Sequence, residues 1–584
     1  MDIFTIFSIR VAKAIEQSFS SETLPKALLD RIVVEPPRDS THGDLSTNAA
    51  MVIAKPLGKN PREIAAKIVE FFEQDEDVKS VEIAGPGFIN IRLKSHVWHQ
   101  VLASILELGS EYGRSDIGKG EKVNIEYVSA NPTGPMHVGH TRGAVFGDAL
   151  ASLMQFVNYD VTREYYVNDA GGQVDVLAKS VFLRYKQALG EDIGEIPQGL
   201  YPGDYLVPVG QALVSEFGKT LLDMPEKQWL ELVKSRVLDA MLNLIKQDLA
   251  KLNIKHEVFF SEKSLHGKNG EIAKTIAWLE EQDLVYQGKL EPPKGKTPDD
   301  WEDREQTLFR ASNFGDDTDR ALVKSDGSYT YFASDIAYHR EKYIRGFNHQ
   351  IVVLGADHSG YIKRLKAAVK AISDGEADVD VRICQLVRLL RNGQQIKMSK
   401  RSGELVTLAE VVDEVGSDAV RFMLLFRRND VPLDFDFALV KEQTRDNPVF
   451  YVQYAHARAC SIFRTAKKEL PDMDIGEAAL KKADLSLASS PEELELISII
   501  AQYPRLIAIA AKAHEPHKIA FYIHEVAKGL HKFWTKGKEN PNLRFVNANS
   551  LNVTLTRLAL VHAVNVVLKS GLAILGVNAP EKLS

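Results

Sequence analysis

The chain has 584 residues, too many for a single hydrophobic core, and at roughly one domain per ~150 residues it should hold about four. A net charge of −7 argues against a protein that coats nucleic acid indiscriminately. The two cysteines, Cys384 and Cys460, exclude a disulfide framework or a thiolate zinc site, and no uninterrupted apolar run reaches the ~18 residues that cross a bilayer. A cytoplasmic protein with no membrane contact and no structural metal is the expectation.

In chain order, MDIFTIFSIRVAKAIEQSF alternates apolar positions with Arg10, Lys13 and Glu16, which predicts an amphipathic helix rather than a signal peptide. Further helical periodicity leads to VEIAGPGFINIRL, a Gly-Pro-Gly turn before a strand over Phe88–Leu93. Residues 1–112 thus read as an α+β domain, and RSDIGKGE (114–121) as a linker. KVNIEYVS is then a buried strand, followed by the Pro/Gly loop SANPTGPMHVGH. Ala144, Val145, Ala149, Leu150, Leu153, Met154 and Val157 recur at helical spacing, and VTREYYVND is another strand. Strand, glycine-rich loop, helix, strand is a βαβ unit of a parallel nucleotide-binding sheet, assigned to 113–185.

Residues 186–300 are mostly helical and charged and read as an insertion that closes in a loop rich in proline and charge. Sheet-like segments resume over 301–380 with TLFRAS, RALVKS, YTYFAS and HQIVVLGADHSG. A basic segment, VRICQLVRLLRNGQQIKMSKRSGELVTL, belongs to 381–440 with its connecting helices. The remainder, 441–584, predicts an all-helical bundle, within which 471–493 is polar enough for an exposed loop. From residue 441 onward 19 Lys and Arg face 14 Asp and Glu, a mildly basic tail that permits a polyanionic partner.

Two constellations carry chemistry. His137-Val-Gly-His140 sits where a strand meets a helix, and free N–H groups and the positive dipole end favour anions there. Gly134 and Gly139 let a nucleotide approach the backbone. The imidazoles could donate to phosphate oxygens as charge develops, or form a metal pair, although no carboxylate or thiol lies at a helpful spacing. Lys397-Met398-Ser399-Lys400 is either an ordinary basic loop or one that lays positive charge on a polyphosphate.

Together, His-x-Gly-His before the first helix of a parallel sheet and KMSK some 260 residues later resemble the class I aminoacyl-tRNA synthetases. NIEYVSANPTGPMHVGHTRGAVFGDAL, TLFRASNFGDDTDRALVKSDGSYTYFASDIAYH and VEIAGPGFINIRL resemble the arginyl-tRNA synthetase family across nearly the whole chain. The resemblance implies a multidomain α/β Rossmann-type catalytic core with a parallel sheet, an N-terminal α+β domain and a C-terminal all-α helical bundle. It implies ATP-dependent conversion of L-arginine to arginyl-adenylate and transfer to tRNA-Arg by a monomer, with Mg²⁺ on the ATP phosphates.

By that resemblance His137, His140, Lys397 and Lys400 are catalytic. Gly134, Gly139, Gly355, Asp357, Met398 and Ser399 would meet ATP, and Glu126, Ser129 and Asn131 the backbone end of arginine. Tyr331 and Asp335 would meet its guanidinium, with Asp335 facing the pocket if a helix begins near Ser334. Without the resemblance, Asp335 reads as a helix N-cap, Tyr331 as core and Asp357 as a turn residue. Phe450, Tyr451 and Tyr454 are candidates for stacking tRNA bases, or else a core stripe. His517, His524 and His531 recur every seven residues and should share a face. A different class I nucleotidyltransferase and a non-catalytic RNA-binding relative are the alternatives.

Overall fold

The computed structural model describes residues 2–19, 24–267, 269–290, 303–396 and 406–583. By packing, the chain divides into two compact units, one of residues 1–115, 444–574 and 578–584, the other of 116–443 with 575–577.

The second unit is built on a five-stranded parallel sheet. Its spatial order is Asp378–Cys384, His349–Gly355, Lys122–Glu126, Asp160–Val167, Val258–Ser261. Ile125 lies opposite Ile351 on one side and Arg163 on the other. The order reverses between Lys122–Glu126 and His349–Gly355, and in such sheets ligands bind outside the carboxyl ends at that reversal. The edge strand Val258–Ser261 lies within the stretch read as a helical insertion, where four half-buried residues give no alternation to detect.

The helix Val138–Phe156 follows the first strand, with every apolar position predicted for its inner face buried. Gly147 lets it come close. A Cβ there would stand 2.3 Å from the ring of Tyr127, itself fully buried. Asp148 on the same helix binds the buried Arg421 guanidinium at 2.6 Å, and Arg421 also donates to the carbonyls of Leu252 and Leu575.

YTYFAS differs from its sheet-like expectation. A helix runs over Tyr331–Ile344, and the Thr330 hydroxyl caps it by accepting from Ala333 N. Asp335 therefore stands one turn inside the helix instead of capping it. The connecting segment within 381–440 also contains a strand, Leu433–Asp436, parallel to Val387–Arg391.

In the first unit, a four-stranded antiparallel sheet includes the predicted strand Phe88–Leu93, which pairs across the Gly-Pro-Gly turn with Val78–Ala84. The N-terminal helix, Ile3–Ser18, is capped by Asp2 and buries Phe4, Phe7 and Val11. The long helices Pro448–Glu469, His517–Glu539 and Leu551–Ile574 form the bundle. Residues 471–493 are more ordered than the loop expected. They contain the helix Glu477–Lys481, whose Leu480 is buried. Two segments, Pro491–Ala513 and Leu551–Ile574, have the length and mean hydropathy (1.4 and 1.5) of a membrane span, although neither is an uninterrupted apolar run. Isolated charges such as Arg505 and Arg557 hid them, and 61% of the second is buried within the protein.

The tight helix-to-strand approach predicts that Gly147→Ala destabilises the fold by about 1–3 kcal/mol through overpacking against Tyr127. Urea unfolding should show a lowered midpoint with an unchanged slope.

Candidate active site

The first strand ends at Glu126, and the chain turns sharply, with φ of 72° at Val128 and 41° at Ser129. Ser129 Oγ donates to Glu126 Oε1 at 3.0 Å and accepts from Tyr166 N at 3.1 Å, locking the turn to the neighbouring strand. Further on, Tyr205 OH donates to Thr133 O at 2.7 Å, and a Cβ on Gly134 would come within 2.9 Å of that hydroxyl. Met136 N donates to Asp248 Oδ2 at 2.9 Å.

The loop delivers His137 to the N-cap of Val138–Phe156, where its Nδ1 accepts from Gly139 N at 3.1 Å. With Nδ1 accepting, the neutral ring carries its proton on Nε2, a donor suited to a phosphate oxygen. The His137 and His140 rings stack at 3.9 Å, and a Cβ on Gly139 would reach 2.8 Å from the His137 ring. Two imidazoles thus sit together at the positive end of a 19-residue helix.

Lys397, Met398, Ser399 and Lys400 lie outside the described residues. The chain just beyond them does not. Leu408 N donates to Met136 O at 2.8 Å, Val138 N to Val406 O at 3.4 Å, and His137 pairs with Thr407 as a bridge. The segment following the second motif is therefore hydrogen-bonded to the first.

At the strand-order reversal a cavity of about 320 Å³ opens, within the range of small-molecule sites. Three carboxyls line it: Glu126, Glu262 and Asp335. Glu126 is paired with the fully buried Lys342 at 2.7 Å. Asp335 makes no salt bridge among the described residues, and its Oδ2 accepts from Tyr361 OH. Burial pushes the Asp335 carboxyl up to about 7, as Glu126 and Glu262 oppose its ionisation while the Tyr361 bond and Arg364 favour it. Burial likewise raises Glu262, against the pull of His266 at 3.6 Å. Acceptor-rich, anionic and half-enclosed, the cavity suits a planar cation with several N–H donors.

The other candidates are placed as follows. Tyr331 is 76% exposed at the cavity mouth, so it is not core. Asn131 is exposed and donates to Gln173 Oε1 at 3.0 Å. Gly355 ends its strand, and Asp357 is largely solvent-exposed beside His358, which lines the cavity. In the other unit, Phe450 and Tyr454 stack at 5.7 Å, and Tyr454 is 40% exposed beneath the Arg458 guanidinium. Tyr451 is half-buried against His524 and His531 at 5.1 and 4.5 Å. His517 and His531 are buried, whereas His524 is only partly so, and their shared face is largely packed.

Sequence reasoning missed Glu262, Tyr361, Tyr166 and Lys342. Asp335, Tyr338 and Lys342 are spaced i, i+3, i+7 on one helix, a signal that could have found the lysine. Glu262 gave none.

A reversal crevice with a histidine-bearing loop on one side and an anionic cavity on the other defines a class I aminoacyl-tRNA synthetase catalytic domain. The family model described as "tRNA synthetases class I (R), catalytic domain" matches residues 101–197 and 234–431. The "Arginyl tRNA synthetase N terminal domain" matches 8–93, and the "DALR anticodon binding domain" matches 452–583. The chain belongs to the arginyl-tRNA synthetase family. It is 57% identical to the arginine–tRNA ligase of Rhizobium rhizogenes and 58% identical to that of Methylorubrum extorquens, covering all of each chain. The Thermus thermophilus arginyl-tRNA synthetase structure has the same fold, with a TM-score of 0.73 over all of both chains at 20% identity.

An ionised Asp335 is favoured less in the folded chain than in the unfolded one, so its cost grows as pH rises from about 4 to about 7 and then levels off. Asp335→Asn should therefore stabilise the folded protein by on the order of 2–4 kcal/mol at pH 8, and by clearly less at pH 5. Paired thermal melts at the two pH values measure this.

Proposed function

We propose that this chain activates L-arginine with ATP to arginyl-adenylate, releasing pyrophosphate, and transfers the arginyl group to the 3′-terminal adenosine of tRNA-Arg. The cavity holding Asp335, Glu262 and Glu126 is the observation that carries the choice of amino acid, within a family already fixed by the comparisons. Asp335 takes the guanidinium, and Tyr331 closes over it from the mouth. Glu126, with Ser129 and Asn131, takes the α-ammonium end. Lysine is excluded because a single ammonium leaves acceptors of the fork unpaired.

ATP lies along the first motif, with Gly134 and Gly139 allowing close approach. His137 and His140 donate to the phosphates as charge builds during attack by the arginine carboxylate on the α-phosphorus. Lys397 and Lys400, flanking Met398 and Ser399, stabilise the departing pyrophosphate, and the pairing of Val406–Leu408 with Met136–Val138 supports bringing the two motifs together. Gly355 and Asp357 stand at the adenosine side. Mg²⁺ would come with the nucleotide and be held mostly by its phosphates and water, where it would neutralise phosphate charge. Residues 1–112 and 441–584 bind the tRNA, with Phe450, Tyr451 and Tyr454 as stacking candidates. The protein acts in the cytoplasm as a monomer.

ATP–pyrophosphate exchange with each amino acid, with and without tRNA, tests the assignment, and exchange with lysine or glutamine but not arginine would sink it. Asp335→Asn should raise the KM for arginine far more than that for ATP.

His140→Ala and Lys400→Ala should each lower the activation kcat by roughly 10²-fold or more, with arginine binding little changed. Single-turnover adenylate formation measures this, and unimpaired rates would show that the chemistry is misassigned.

A further inference from the structure

Beneath the cavity lies a cation that no step of the reaction uses. Lys342 is fully buried, donates at 2.7 Å to Glu126 Oε2, and sits 4.1 Å over the Tyr338 ring. Burying an ammonium is costly, and such a pair is weak evidence for stability in itself. The neighbouring buried carboxylate, Glu164, is treated differently. It receives both Arg345 nitrogens, Tyr338 OH and Asn124 Nδ2, which fills its acceptor capacity. Among the described residues Glu126 receives only Lys342 and Ser129, which leaves lone pairs for a ligand in the cavity it lines.

Lys342 stands two turns after Asp335 on the helix Tyr331–Ile344. One rigid helix therefore carries Asp335 directly and anchors Glu126 through Lys342. We propose that Lys342 is a positioning residue, holding Glu126 from below so that its carboxylate meets the α-ammonium of arginine at a fixed distance from Asp335. The amino end is thereby read at a spacing set by the same helix that reads the guanidinium. This rests on the reading that Glu126 binds the amino end.

The test is Lys342→Met in the full-length enzyme, with arginine, ATP, and 5-guanidinopentanoate, which is arginine without its α-amino group, as a competitive inhibitor. The KM for arginine should rise tenfold or more. The KM for ATP and the inhibition constant of 5-guanidinopentanoate should stay within about twofold, and kcat should fall far less than kcat/KM. Equal weakening of both guanidinium ligands, or a loss in kcat alone, overturns the proposal and leaves Lys342 a structural residue. If the unaltered enzyme binds 5-guanidinopentanoate as tightly as arginine, the reading of Glu126 itself fails, and the proposal with it. Should Lys342→Met not fold, the double variant Glu126→Gln/Lys342→Met avoids a lone buried carboxylate. It should match Glu126→Gln in its KM for arginine, and a further tenfold rise would overturn the proposal.

Discussion

Where Lys122–Glu126 and His349–Gly355 lie side by side, the strand order reverses, and the chain leaves their carboxyl ends without covering the edge between them. Every functional group of the candidate site depends on that opening. The first strand feeds the loop that carries His137 and His140, while the other leads to His358 and Tyr361 at the cavity. The loop and the cavity offer different chemistry. The loop offers donors, from a helix N-terminus and two imidazoles. The cavity offers acceptors, the carboxyls of Glu126, Glu262 and Asp335, which end a strand, follow the edge strand and stand on the helix Tyr331–Ile344.

Those carboxyls conflict with folding. Glu126 and Glu262 oppose ionisation of Asp335, and burial disfavours the charge of Asp335 and of Glu262. A buried lysine pairs with Glu126, whereas Asp335 has no salt-bridge partner among the described residues and burial pushes its carboxyl up to about 7. A fully neutralised pocket would make a more stable protein and a poor receptor for a guanidinium. The strain at Val128 and Ser129 has the same character, since left-handed conformations are costly for a β-branched valine. The Ser129 hydroxyl bonds to Glu126 and Tyr166 hold that turn in place.

Much of this was legible in the sequence, for reasons that differ by element. The βαβ unit could be read because Val123, Ile125 and the inner face of Val138–Phe156 follow simple periodicities. Asp335 was found by resemblance, on a helix expected to begin near Ser334 that in fact begins three residues earlier. Tyr-Thr-Tyr-Phe has strand composition, and only the Thr330 cap reveals that a helix starts there. The edge strand Val258–Ser261 and its neighbour Glu262 were hidden because a short, half-buried edge has no alternation. Tyr361 could not be foreseen, because its contact with Asp335 spans 26 residues and depends on how two helices pack. Pairings of that kind are tertiary, and local pattern does not encode them.

The helix Tyr331–Ile344 makes the same point about function. Its sequence mixes residues that serve the fold with residues that serve the ligand, at spacings that put both on one buried side. Phe332, Ile336 and Ala337 pack into the core, while Asp335, Tyr338 and Lys342 form a polar line beneath the cavity. A purely apolar inner face would have been more stable and easier to predict. Through that line one helix carries Asp335 and, by way of Lys342, holds Glu126, so two carboxyls of the cavity share a single rigid reference.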